Sequence, residues 1–103
     1  MYTALNIGQH FLNKASVNGT TLTPMELIKL TYIAHGWMLG LYSKALIQDE
    51  VEAWKFGPVI PEVYHKLKRF GAKPVTEVTK KKSPLLDQYE QSIVAQVYES
   101  TGI

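Results

Sequence analysis

The stretch from Thr23 to Tyr42 constrains this chain more than any other. Thr23-Pro24-Met25-Glu26 combines a capping hydroxyl, a proline at the first helical position and a glutamate placed to close a capping box. These groups satisfy the amide donors that a helix start leaves without partners. Behind the cap the sequence is apolar on nearly every side, with Met25, Leu27, Ile28, Leu30, Tyr32, Ile33, Trp37, Met38, Leu39 and Leu41. A helix apolar all round is expected at the buried centre of its domain. The rest of the chain then has to wrap it.

With 103 residues of which 46% are apolar, the chain has material for one core and too little for two, so residues 1–103 read as a single domain. The charged fraction of 19% is ordinary and argues against wholesale disorder. Leu5, Gln9 and Leu12 stand at helical spacing behind the capping residue Thr3, which predicts a first helix over about Ala4 to Lys14. Asn18-Gly19-Thr20 is turn chemistry. After Tyr42 the pattern becomes extended: Ala45-Leu46-Ile47, the acidic turn Gln48-Asp49-Glu50, then Val51-Glu52-Ala53-Trp54, a hairpin-like unit.

Phe56-Gly57-Pro58-Val59-Ile60-Pro61 is expected to be a stiff apolar corner rather than regular structure, because Pro58 and Pro61 lack amide donors. Pro61 suits the first position of a helix through Val63, Tyr64, Leu67 and Phe70, stopped by Gly71. Val75 to Val78 is a candidate strand. Ser83-Pro84 is expected to open a final helix striped by Leu86, Tyr89, Ile93 and Val97. The fold class is therefore mainly α (α+β): a helical domain around a central buried helix with a small antiparallel β element.

The chemistry points away from catalysis. The absence of cysteine removes disulfides, thiolate nucleophiles and Cys-based zinc sites, and fits a reducing compartment, so a cytoplasmic location is expected. Met1 to Ile7 has no signal-peptide character, and no stretch is long enough to span a bilayer. His10, His35 and His65 are far apart in sequence and match no metal-binding spacing, so neither metal nor cofactor is expected. His35, inside the apolar stretch, reads as a hydrogen-bonded structural histidine. Asp49, Glu50 and Glu52 are close together, yet in a turn leading into a strand they are expected to face water rather than act as an acid/base pair.

Lys29-Leu30-Thr31-Tyr32-Ile33-Ala34-His35-Gly36-Trp37, then Leu46, then Glu52 to Tyr64 with its Ala53-Trp54-Lys55-Phe56-Gly57-Pro58-Val59 block, then Phe70-Gly71, resemble the Panacea domain. That family includes SocA-like antitoxins and GepA-like phage-associated proteins, and the match covers about residues 25–75. The resemblance implies a mainly helical fold with a small β element and a place in bacterial and phage toxin–antitoxin pairs. It implies a toxin partner held by direct contact and, in the SocA-like case, delivery of the toxin to a cellular protease. The family domain usually continues past Thr101-Gly102-Ile103 by a further helical segment. Its absence would leave an apolar face uncovered, which homo-oligomerisation could cover.

Two features suggest where a partner would sit. Tyr32, Trp37, Trp54, Phe56 and Tyr64 cluster in sequence around the proline-rich corner, and aromatic residues carry much of the binding energy at interfaces. Leu30, Tyr32, His35, Trp37 and Trp54 are nevertheless assigned to the structural core, because aromatics in a small domain commonly fill it. A rigid corner loses little entropy on binding. The partner surface is therefore placed on Lys55, Phe56, Gly57, Pro58, Val59, Tyr64 and Lys68.

The second feature is charge. Residues 66–82 hold seven bases against the single acid Glu77, while the remainder has four bases and eight acids. Lys66, Lys68 and Arg69 are assigned to steering an acidic partner. The plain alternative is a solvated helix end. An alternative function, a nucleic-acid-binding phage or prophage accessory protein using 66–82, is disfavoured by the lone arginine and the lack of a base-reading motif.

Overall fold

The computed structural model describes residues 2–55, 57–79 and 84–101. Helix α1 spans Ala4–Val17 and α2 spans Pro24–Tyr42. A two-stranded antiparallel sheet follows, β1 Glu52–Trp54 and β2 Gly57–Val59, then α3 Pro61–Leu67 with a 3₁₀ turn Lys68–Phe70, and finally α4 Gln88–Ser100. The fold is mainly helical with a small β element, in the class the sequence predicts.

The helix starts are set locally. Thr3 Oγ1 accepts from Asn6 N–H and Thr23 Oγ1 from Glu26 N–H, each reciprocated by the side chain three residues on. The first helix runs three residues beyond the predicted Lys14, to Val17, and the chain turns at Gly19, whose φ of 72° suits glycine. For α4 the cap is Asp87, which accepts from Glu90 N–H, and the helix begins at Gln88. The expectation of a helix opening at Ser83-Pro84 is therefore corrected: Ser83 lies outside the described residues, and Pro84 to Asp87 precede the helix. Its inward stripe is Ile93, Val94, Val97 and Tyr98. Tyr89 is exposed, and Leu86 is buried from the segment before the helix.

Two expectations about strands are also corrected. Ala45-Leu46-Ile47 does not pair with Val51–Trp54; it lies beside the chain start, where Tyr2 N–H donates to Leu46 O (3.1 Å) and Gln48 N–H to Tyr2 O (2.9 Å). The strand that pairs with Glu52–Trp54 comes from the corner itself: Glu52 faces Val59, Ala53 faces Pro58 and Trp54 faces Gly57. Proline is tolerated there because a strand of a two-stranded ribbon has a side that needs no donor. Val75–Val78 is not a strand: Val75 N–H donates to Leu22 O (2.8 Å) and Val78 N–H to the Gln9 side chain (3.0 Å).

The core is one cluster joining the inward sides of α1, α2, α3 and α4. Ile7, Phe11, Leu27, Leu30, Leu46, Ile60, Val63, Leu67 and Val97 are fully enclosed in it. Tyr2 ties the chain start to α4, its hydroxyl donating to Glu90 Oε1 at 2.6 Å; that bond to a carboxylate, aided by burial, pushes its pKa up to about 12.

The central helix is not buried all round. Leu27, Ile28, Leu30, Thr31, Ala34 and Met38 face the core, while Met25, Tyr32, Leu39, Leu41 and Tyr42 face outward. A sequence pattern reports apolarity and not what covers it, and here the surrounding elements cover only one side. Among the described residues, no helix is long and apolar enough to cross a membrane.

Candidate partner-binding surface

The outward side of α2 and the β1–β2 hairpin form one surface. Val59 and Ile60 are buried and anchor the hairpin base, and Pro61 starts α3 directly behind it. The distal part stands clear of the core, with Glu52, Ala53 and Trp54 all exposed. Gly57 has a φ of 122°, a region that residues with side chains rarely adopt, so glycine is required where the hairpin returns.

Between α2 and the hairpin runs an apolar groove of about 530 Å³, lined by Met25, Glu26, Ile28, Lys29, Tyr32, Ile33 and Pro58. A shallower cleft of about 310 Å³ adjoins it, sharing Tyr32 and Pro58 and reaching Val51, Ala53 and Trp54. Tyr32 is 39% exposed and Trp54 38% exposed, which corrects their assignment to the core. Tyr32 is on the outward side of α2, beside Pro58 of the hairpin, and Trp54 is on a strand whose every residue is exposed.

Trp54 is held in place rather than loose. Its Nε1 donates to Glu52 Oε1 at 3.0 Å, and its ring meets Tyr64 edge-to-face at 5.0 Å between centroids. Tyr64, on α3, is half-buried against the core cluster and also meets the His65 ring at 5.5 Å. An aromatic side chain fixed before binding loses little entropy when a partner arrives.

The remaining predicted residues divide. Leu30 is fully buried, while Trp37 is half-buried and packs on the edge of the core cluster. Gly57, Pro58 and Val59 form β2, with Pro58 facing the groove and Val59 turned into the protein. Lys55 is in the turn between the strands, and Phe56 lies outside the described residues. Lys68 and Arg69 are exposed on the 3₁₀ turn after α3, where the Arg69 guanidinium lies 4.8 Å from the Phe70 ring centroid. Lys66 turns to a different cleft, lined also by Thr3, Asn6, Gln48, Asp49 and Glu62, so it does not join the hairpin surface. Lys80, Lys81 and Lys82 of the basic segment lie outside the described residues.

His35 supports this surface from behind. Its Nδ1 lies 3.2 Å from Leu46 N and 3.4 Å from Ile47 N and accepts from both amides, which fixes the segment leading into the hairpin. An accepting Nδ1 requires the neutral ring, and burial lowers its pKa. Asp49 acts nearby in the same way, accepting the Ala4 amide at 2.8 Å and adding a carboxylate at the start of α1. Sequence reasoning assigned Asp49 to solvent, because no local spacing reveals a cap supplied from another part of the chain. It also missed Met25, Lys29 and Ile33 as groove residues; the signal for Met25 and Ile33 is the apolar outer side of α2, which reads from sequence as core.

The family comparison adds identity to this geometry. The Panacea domain of SocA-like antitoxins matches residues 27–102, a span that includes most of α2, the hairpin, α3 and α4, and the chain belongs to that family. Among curated proteins it is similar to the antitoxin SocA of Caulobacter vibrioides strain NA1000 / CB15N, at 38% identity over 74 residues. That alignment takes in 72% of this chain and 39% of SocA, so the chain spans about two fifths of the length of the relative it matches. No solved structure matches the chain.

Proposed function

We propose that this domain is an antitoxin that neutralises a cognate toxin protein by direct, non-catalytic binding, with the groove and hairpin as its contact surface. The observation that carries the reading is the pair Tyr32 and Trp54, both exposed and lining the cleft that adjoins the apolar groove in a SocA-like antitoxin domain. Exposed aromatics beside a preformed groove are the kind of anchor that concentrates binding energy. Occlusion of the toxin's working surface then needs no reactive group on this chain. Lys68 and Arg69 would speed the encounter with an acidic toxin, and Gly57, Pro58 and Tyr64 would set the shape of the contact. Action in the cytoplasm and delivery of the bound toxin to a protease belong to the same proposal.

The test is to express the neighbouring gene of the source genome alone and together with this protein, then to copurify. Growth arrest relieved by a stable complex supports the reading. A harmless neighbour, or relief without contact, removes it. Within a working pair, Tyr32→Ala with Trp54→Ala should abolish rescue while the antitoxin stays folded by circular dichroism; rescue that survives intact would displace the surface from this groove.

A further inference from the structure

We infer that in the toxin-free protein the outward side of α2 is a homodimer interface, which toxin binding at the same groove must displace, and in which the α2 helices of two copies cross antiparallel about a two-fold axis at Gly36. Along that side stand Met25, Lys29, Tyr32, Gly36, Leu39 and Gly40, all exposed, and Met25 and Leu39 show 54% and 46% of their surface. None of them is buried by the described residues. The inference rests on self-complementarity, which an interface between identical copies demands because each residue must fit its two-fold mate.

With the axis at Gly36, residues equally far before and after it meet across the interface. Tyr32, four residues before, meets Gly40, four after. A Cβ built on Gly40 meets nothing within 4 Å, so the position is an open notch for the bulkiest outward ring. Ile33, on the groove wall, meets Leu39 of the second copy, which seats an exposed leucine in the groove bounded by Pro58. Gly36, equally open, meets itself, so the two backbones can approach closely. Neither glycine has a positive φ, so no turn requires them.

Charge matches under the same operation. Lys29, seven residues before the axis, meets Ser43, seven after, which caps the C-terminal end of α2. That end carries the partial negative charge of the helix, and the last turn of α2 contains no base to offset it. Lys44, next in sequence, lines a separate cleft with Asp87 and Glu90. Lys29 of a second copy supplies the missing positive charge at both ends of the pair.

The register is tested with a cysteine, since the chain has none of its own. Gly36→Cys, at the axis, should form a symmetric intermolecular disulfide with diamide as oxidant, and Gly40→Cys, opposite Tyr32, should not. In parallel, sedimentation of the unmodified protein from micromolar to near-millimolar concentration should show a monomer–dimer equilibrium. Gly40→Leu should weaken it about tenfold or more in Kd. The same variant should melt no lower than the parent when dilute, because leucine is the better helix former and its Cβ meets none of the described residues within 4 Å. A protein that stays monomeric throughout overturns the inference, as does a dimer untouched by Gly40→Leu or cross-linked equally at both positions. If the parent stays monomeric while Gly40→Leu loses toxin rescue, the face belongs to the toxin and the second copy is excluded. These results are read separately from the growth assay, so the dimer can fail while the antitoxin reading stands.

Discussion

The two sides of α2 both carry large apolar side chains, and their situations are opposite. Leu27, Leu30, Thr31, Ala34 and Met38 are enclosed by α1, α3 and α4, whereas Met25, Tyr32 and Leu39 lie open to solvent on the other side of the same helix. The inner side gains from burial within the chain, at about 25 cal/mol for each Å² of apolar surface removed from water. The outer side forgoes that gain until something else covers it. Contiguous exposed apolar surface beside a groove marks contact with another molecule. Stability and binding should therefore separate cleanly between the two sides.

The largest expected effect is on the inner side. Leu30→Ala removes a fully buried side chain from the centre of the cluster and should cost about 2–5 kcal/mol, measured by urea denaturation. Tyr32→Ala, two residues on and facing outward, should cost well under half of that. Equal losses at the two positions would break the comparison, because the outer side would then be part of the core.

An intermediate effect of opposite sign comes from Thr31. It is fully buried, and its hydroxyl has no hydrogen-bond partner among the described residues; it faces Gly8 of α1, where an added Cβ would sit at ordinary contact distance, 3.9 Å from it and 3.6 Å from Val78 Cγ1. A buried hydroxyl left unpaired costs free energy that a methyl group of the same shape does not. Thr31→Val should raise stability by about 1 kcal/mol in the same denaturation experiment. A loss instead would mean that the hydroxyl has a partner in solution, and the inner side would be more polar than its apolar neighbours suggest.

These contrasts explain what the sequence could and could not convey. The starts of α1 and α2 were legible because Thr3 with Asn6 and Thr23 with Glu26 lie within one turn of each other, so local spacing encodes them. The start of α4 was misread because Ser83-Pro84 imitates such a signal, while Asp87 and Glu90 carry the working one. The hairpin partner was misassigned because Pro58 was taken to forbid pairing, whereas a two-stranded ribbon has room for a missing donor. Of the aromatic residues grouped around the corner in sequence, Trp54 and Tyr64 meet edge-to-face and Tyr32 lines the same cleft as Trp54. Whether Tyr32 and Trp54 faced in or out was not legible, because that depends on how far the hairpin and α3 reach across α2.

The smallest effect, and the most specific, is expected at the boundary between the two sides, where His35 accepts the amides of Leu46 and Ile47 through Nδ1. Burial lowers its pKa in the folded protein below the ordinary value of 6.5, so at mildly acidic pH the unfolded chain binds a proton that the folded chain resists. The stabilisation is therefore fully present above the unfolded pKa and is lost as pH falls towards and through the folded one. The melting temperature should drop between pH 7 and pH 5 by more than in His35→Gln, whose side-chain oxygen can still accept but cannot take up a proton in this range. Because the half-buried ring sits between the enclosed side and the segment leading to the hairpin, the loosening should start at residues 46 and 47. Protection of those amides, taken relative to their intrinsic exchange rate at each pH, should fall on acidification before it does at Leu27 or Leu30. A simultaneous loss of protection would mean that the hairpin and the core unfold as one unit, and that the division of α2 into two sides has no counterpart in its dynamics.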